Sequence, residues 1–486
     1  MSKLTFIVPV YKPDHKYLEK CVRSLLVQSL TDWDAVFVFD GPDKDAANKI
    51  ESLFKKSTNH YKLVDIEHGG ACRARNEGFK HAKGDYVVFW DCDSAIEPHA
   101  AKNWCDILDK NHGYGFVYSG YKFFDEQGAI NSEPFDPYLL RVANYISTCF
   151  PLRRELVGPG WNEALESAQD WDFWLGVVER GGVGKYLEGH AFSTAYPTPT
   201  SISGKGCSPE KWLERQDRVR ELHGIKSNEV CVTSLEAKHD GIALAKLIGA
   251  DYHDRPNDKP NHYKTIIQVG FSLNAQAAEL CATAWGPEHK KIIYWTRDNV
   301  DEIYNAVSLR ALSEYSSRLN IAATQFVDDR AAQKIMEKAG FKTEVSPLPM
   351  ANTDETPALP EKPRFIVDAA AQYGHVIAVI RRALPDVRID LAGGVQKIED
   401  YTGILHFYVD RALSSSVKRM ELAGRHVVSN IQSPFTGFLD DATTDERFVV
   451  SVVERIRQVV KKGPNDKGRD YWQKSLSTEK LLEAIK

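Results

Sequence analysis

Short apolar runs alternate with helix-length amphipathic segments along most of the chain, and that alternation restricts the fold to α/β. LTFIVPV (4–10), DAVFVFD (34–40), YKLVDI (61–66) and DYVVFW (85–90) are near-continuous apolar runs, the pattern of strands buried on both faces of a largely parallel sheet. Between them lie amphipathic segments. Residues 15–29 carry Leu18, Val22, Leu25 and Leu26 at helical spacing, and 71–82 and 98–110 behave similarly.

After about residue 205 the pattern changes to polar helices, SPEKWLERQDRVRELHG opening with a Ser-Pro start signal. DYHDRPNDKPNHY (251–263), rich in Asp, Asn and Pro, has little to bury and reads as a linker. A second α/β series starts at KTIIQVG (264–270), is interrupted by PLPMANTDETPALPEKP (347–363), and resumes with RFIVDA, VRIDLAGG, GILHFYV and RHVVSN. The expected organisation is a first domain over 1–205, a helical extension and linker over 206–262, and an α/β region over 263–486 with halves at about 263–350 and 362–486.

Composition excludes several classes. With 486 residues and a net charge of -5, the chain has room for several cores and no global basic field for nucleic acid or anionic membrane. Eight cysteines are scattered without a C-x-x-C pair, which fits a reducing, cytoplasmic setting better than a disulfide framework. The N-terminal segment lacks the apolar stretch of a signal peptide, and no run of about 18 apolar residues is long enough to span a membrane.

YVVFWDCDSAIEP (86–98) runs an apolar strand into two carboxylates, Asp91 and Asp93. A strand ending in Asp-x-Asp delivers them to the carboxyl edge of a parallel sheet, where α/β proteins bind ligands. If the strand continues, both face one ligand, and a hard divalent cation on phosphate oxygens suits such a pair. An Asp after a strand also serves simply to cap the next helix.

LTFIVPVYK, VFVFDGPDKD, HGGACRARNEGFKHAKGDYVVFWDCDS and LVGPGWNEALESAQDWDFWLGVVERGG occur in this order, and together they resemble the family 2 glycosyltransferases of the GT-A fold. The resemblance covers roughly residues 3–205 and implies a Rossmann-like, mixed, mostly parallel sheet. By position it places Pro9 and Tyr11 under the base and ribose of a nucleotide, Asp40 on the base and Arg75 on the diphosphate. It makes Asp93 the direct ligand of Mn2+ or Mg2+, with Asp91 toward the ribose or a metal-bound water. Asp170 matches the catalytic base, and Asp172 is the second choice, fitting better as a helix-start residue.

The chain departs from that pattern at several positions. Phe39 replaces the first Asp of the family's turn, Gln169 replaces a usual Glu, and Thr198 stands where a His often contacts metal or phosphate. His190 is the candidate to compensate; Lys205, in a Gly-rich SGKG that lacks P-loop spacing, is a candidate phosphate contact.

The resemblance implies a soluble, metal-dependent, inverting hexosyl- or pentosyltransferase that moves a sugar from a nucleotide diphosphate sugar, UDP-linked by expectation, to an acceptor hydroxyl. The acceptor stays open among carbohydrate, lipid-linked sugar and protein. Hydroxymethylated DNA is a further alternative, for which the basic runs ERQDRVRELHGIK and KKGPNDKGRDYWQK are the candidate track. A nucleotidyltransferase and a non-catalytic binding module are the competing classes. KIIYWTRDN, VSPLPM, VRIDLAGG and RMELAGRHVVSN resemble fragments of retaining GT-B glycosyltransferases. Glu421 matches the second Glu of that family's pair, but the first falls on Leu413, so 263–486 reads as a GT-B-like region that has lost catalysis and serves acceptor recognition or assembly, with a second active transferase as the alternative.

Overall fold

The computed structural model describes residues 2–124, 129–130, 133–196, 209–226, 228–234, 237–253, 263–270, 289–296, 299–300, 303, 316–317, 319–328, 330–346, 358–369, 373–391, 400–407, 415–429, 437–438, 446–475 and 479–485. They form two compact units, Met1–Ser227 and Asn228–Lys486.

The first unit is built on one sheet. Strands β1 (Leu4–Val10), β2 (Trp33–Asp40), β3 (His60–Ile66) and β4 (Tyr86–Phe89) pair in parallel in the order β3-β2-β1-β4. Beyond β4 the sheet turns mixed. β5 (Ser94–Ile96) pairs antiparallel with β9 (Gly184–Ala195), which runs parallel to β6 (Phe116–Phe123). β7 (Ala129–Ile130) pairs antiparallel with β6, and β8 (Leu152–Arg153) does so with both β4 and β6. This is the mixed, mostly parallel α/β sheet expected of residues 1–205.

Local chemistry explains the helices between these strands. α1 (His15–Leu26) is capped by Asp14, whose carboxylate accepts from Lys16 N, and it buries Leu18, Cys21, Val22 and Leu25. α2 (Lys44–Phe54) is capped in the same way by Asp43, which accepts from Ala46 N. α3 (Ala71–His81) follows Gly70, at φ +92°, a backbone setting that costs little only without a Cβ. α4 (Ala100–Lys110) packs Trp104, Cys105 and Leu108 into the core, and Trp33, Trp90, Phe116, Trp171 and Trp174 fill the same cluster. One expectation fails: β3 is largely exposed rather than buried on both faces, because it is the edge of the sheet.

The second unit holds two parallel sheets. One has the order β11-β10-β12-β13-β14-β15, from β10 (Val230–Thr233), β11 (Asp251–His253), β12 (Thr265–Val269), β13 (Lys290–Trp295), β14 (Thr324–Val327) and β15 (Glu344–Val345). The other has the order β17-β16-β18-β19-β20, from β16 (Arg364–Ala369), β17 (Arg388–Leu391), β18 (Gly403–Phe407), β19 (His426–Ser429) and β20 (Gly437–Phe438).

The division between units therefore falls at 227/228 and not within a linker at 251–263. β10 and β11 belong to the second sheet, and the ends of that polar stretch are buried: Tyr263 donates to Asp251 Oδ2 at 2.9 Å and pairs with His253 Nε2 at 2.7 Å. Residues 254–262 lie outside the described set. No helix among the described residues is long and apolar enough to cross a membrane.

Candidate active site

Strands β1, β2 and β4 are in parallel register, so residues 9–11, Asp40 and the segment after Phe89 share the carboxyl edge of the sheet. Asp91 and Asp93 do not sit on a continuing strand. Ser94 N donates to Asp91 O at 3.1 Å, closing a tight turn over 91–94, so the two carboxylates have different surroundings.

Asp91 is held on both oxygens. Oδ1 accepts from Arg75 Nη2 at 3.1 Å, and Oδ2 accepts from Thr148 Oγ1 at 3.2 Å and from the Cys149 thiol at 3.6 Å. Asp93 has no side-chain partner among the described residues; burial, and then the Asp91 charge, push its carboxyl up to about 7. Its backbone oxygen accepts from Tyr196 N at 2.9 Å. Among the described residues no third His, Cys, Asp or Glu converges with these two.

Arg75 joins the two acidic segments. Its buried guanidinium lies 4.4 Å from the centre of the Trp161 ring, donates to Asp91, and reaches Gln169 Oε1 at 3.4 Å through Nη1. Trp161 is fixed in turn: its N donates to Asn76 Oδ1 at 2.7 Å, its O accepts from Asn76 Nδ2 at 2.9 Å, and its ring stacks on Phe173 at 4.3 Å. Arg75 was expected on the diphosphate; the structure commits it to Asp91, Gln169 and Trp161.

α6 (Gln169–Glu179) begins after Ala168, which is left-handed at φ 54°, and neither Asp170 nor Asp172 is its cap. Both lie in the first turn, where the helix dipole favours negative charge. Asp170 Oδ2 accepts from Asn144 Nδ2 at 2.8 Å and Oδ1 from Trp171 N at 3.0 Å, while burial raises its carboxyl above the usual range. Asp172 faces elsewhere. Its Oδ1 pairs with His223 Nε2 at 3.1 Å, and His223 Nδ1 with Glu179 Oε1 at 2.9 Å, tying α6 to the end of α7 (Pro209–Leu222).

On the β1–β2 side, Tyr11 is 46% exposed and stacks on His68, with ring centres 4.3 Å apart and planes 11° from parallel. Pro9 is half-buried beside it. Asp40, expected on a base, is buried and spends its oxygens on the loop before α3: Oδ1 accepts from Gly69 N at 2.6 Å, and Oδ2 from Gly70 N at 3.0 Å and pairs with His68 Nδ1 at 2.8 Å. Phe39 is fully buried.

His190, the candidate to compensate for Thr198, does not converge with Asp91 and Asp93 among the described residues. It is exposed, stacks on Phe192 at 5.0 Å, and precedes Tyr196, the residue bonded to Asp93, by six positions, roughly 20 Å along an extended strand. Thr198, Lys205 and Leu413 lie outside the described residues. Asn144, Thr148, Trp161 and His68 gave no sequence signal; each acts only through a partner distant in the chain. In the first basic run, Arg220 is buried and donates to Val142 O at 3.3 Å, and exposed Arg218 pairs with Glu221 at 3.2 Å.

The chain is similar in part to known glycosyltransferases. Residues 5–157 match the family model described as Glycosyl transferase family 2. The O-antigen biosynthesis protein RfbC of Myxococcus xanthus is 26% identical over 184 residues, 36% of this chain and 14% of that protein. Glycosyltransferase GlyA of Streptococcus pneumoniae serotype 4 is 37% identical over 96 residues, 20% of this chain and 14% of that protein. The chain thus aligns with only about one seventh of either relative. A crystal structure of S. aureus TarS 1-349 in complex with UDP-GlcNAc superposes with a TM-score of 0.40 at 20% identity, covering 70% of this chain and 89% of that one. The stretch that matches the Glycosyl transferase family 2 model holds nearly all of β1 and the whole of β2 to β4, with Arg75, Asp91 and Asp93.

Proposed function

We propose that the chain transfers a sugar, with inversion, from a nucleotide diphosphate sugar to an acceptor hydroxyl, and that the first unit carries the reaction. The observation that carries this reading is the Arg75 bridge, which holds the Asp91 turn and the first turn of α6 in one hydrogen-bonded unit, with Asp170 at its far side. A donor site and a base locked together in this way are pre-positioned for displacement at an anomeric carbon.

The nucleotide lies along the carboxyl edge, its base against the Tyr11–His68 stack. Asp40 acts through the loop, fixing His68 and the start of α3 rather than touching the base. A UDP-linked donor is the expected one. Asp93, a carboxylate without a cation beside one that Arg75 already neutralises, suits a single hard divalent cation such as Mn2+ or Mg2+. When bound, that ion supplies positive charge at the leaving diphosphate. Asp170 takes the acceptor proton; its raised pKa makes it a stronger base than an ordinary carboxylate, and Asn144 aims it. Asp172, spent on His223, is structural.

The two parallel sheets of the second unit are compatible with a GT-B-like region, and we read it as non-catalytic. Glu421 is fully buried. The acceptor is a carbohydrate, lipid-linked sugar or protein. Hydroxymethylated DNA stays the alternative acceptor, although Arg220 of the first basic run is buried against Val142 O.

The test uses the purified full chain with UDP-sugars, with and without Mn2+, measuring free UDP. Cation-dependent UDP release that Asp93→Asn abolishes supports the assignment; release that survives in that variant overturns it.

A further inference from the structure

A second feature of the rim has no role in the donor site. The ends of β6 and β9 are paired, Phe123 opposite Ala195, and Phe124 N donates to Ala195 O at 3.0 Å, so Phe124 and Tyr196 leave the sheet side by side. Tyr196 N also donates to Asp93 O, which places this pair one backbone hydrogen bond from the candidate cation ligand. From α1, Tyr17 stacks on Tyr196 with ring centres 4.9 Å apart and planes 17° from parallel, and Phe124 meets Tyr196 at 5.1 Å. Lys20, one helical turn after Tyr17, sets its ammonium 4.3 Å from the Tyr196 ring centre, 4.6 Å from Phe124 and 5.7 Å from Tyr17.

Three rings around one ammonium form a rigid wall, not a loose apolar patch, because the cation is attracted to each ring face. Tyr196 is buried behind the ammonium and Tyr17 is half-buried, so Phe124 is the exposed face of the cluster. Phe124 is 61% exposed on a strand end, which gains nothing for the fold, since its ring removes little apolar surface from water. An exposed aromatic face beside a fixed cationic donor matches a sugar ring, which offers an apolar face of C–H groups edged by hydroxyls.

We infer that Phe124, Tyr17, Tyr196 and Lys20 form the acceptor subsite, a saccharide-binding wall in which Phe124 stacks on a sugar ring and Lys20 donates to its hydroxyl or carboxylate oxygens. The inference rests on the transferase reading and names its acceptor class: a saccharide, in preference to a protein. Its continuity with the donor edge through the Asp93–Tyr196 bond carries that choice, because the accepting hydroxyl must lie next to the donor sugar.

The experiment is saturation-transfer NMR on the full chain, with a panel of neutral, N-acetylated and uronic-acid-containing oligosaccharides, alongside calorimetry with UDP and Mn2+. At least one saccharide should receive saturation at its ring protons. Phe124→Ala should weaken it tenfold or more while melting temperature and UDP affinity hold, and Lys20→Met, which keeps the stem, should weaken it severalfold. A wild-type chain that binds UDP but no saccharide, or variants that keep full saccharide affinity, would overturn the inference. Saccharide binding lost in Phe124→Ala from a chain that never binds UDP would uphold the subsite and sink the donor reading instead.

Discussion

Arg75 Nη2 donates to Asp91 Oδ1 at 3.1 Å while the carbon of the same guanidinium sits over Trp161, 4.4 Å from its ring centre. A planar fork does both at once, and an ammonium does not. Arg75→Lys should therefore lose the reach to Gln169 and leave Asp91 under-compensated. A charged hydrogen bond of this kind contributes about 2 kcal/mol, which for a domain of this size is a melting-temperature drop of roughly 5 °C. Donor turnover should fall at least tenfold, because the Asp91 turn and α6 lose their common anchor. Thermal melts and UDP release on the same preparation check both; wild-type values for both would mean that the bridge positions nothing.

Asp93 predicts a pH signature. Its carboxyl is pushed up to about 7 from an ordinary 3.8, so the folded chain holds a proton there that the unfolded chain has released. The stability associated with that proton is fully present below the unfolded value and is lost as pH rises through about 7. Without divalent cation, the melting temperature of Asp93→Asn should gain on wild type between pH 5 and pH 8 and then run level with it. Mn2+ should restore wild type above pH 7 and leave the variant unmoved. A pH-independent difference between the two would remove the buried-carboxylate assignment.

The limits of the sequence follow from where each signal resides. β1, β2 and β4 were legible because a strand covered on both faces needs an unbroken apolar run, and Asp91 and Asp93 stood out against that run. β5 and β8, of three and two residues, are too short to show any period, and four-residue β10 was absorbed into an apparent helical extension. What could not be read was pairing at distance. Gln169 meets Arg75 across 94 positions and Asp40 meets His68 across 28, so the residue types were visible while their commitments were not. The turn at 91–94 escaped for a different reason: Asp-x-Asp is compatible with either a strand or a turn, and only the Ser94 to Asp91 bond decides.

Asp172 and His223 give a second, independent titration. The hydrogen bond that His223 donates to Asp172 is the largest cause of its raised pKa, with Glu179 adding to it. The protonated imidazole therefore contributes stability that is complete below 6.5 and disappears as pH rises through the raised value. Asp172→Asn should lower the His223 pKa in an NMR titration and flatten the fall in melting temperature above pH 6.5. Sugar transfer should survive at a temperature where the variant is folded. Loss of transfer in a folded Asp172→Asn chain, at unchanged donor affinity, would instead move the base to Asp172.

Asp170 and Asn144 separate the base from its support. Asp170→Asn keeps the shape of the side chain and the contact with Trp171 N but removes the proton acceptor, so UDP and Mn2+ affinity should persist while transfer drops about a hundredfold or more. Asn144→Ala acts in the other direction. It leaves the carboxylate in place without the 2.8 Å hydrogen bond that favours its charged form, so the pKa, already raised by burial, should rise further. Transfer needs the ionised carboxylate, so the acid limb of the rate profile should move to higher pH. At saturating Mn2+, where Asp93 is held ionised, that limb belongs to Asp170 alone, and the plateau rate above it should stay within a few-fold of wild type. An acid limb that stays put in Asn144→Ala, or a near-parent transfer rate in Asp170→Asn, would place the base on another group.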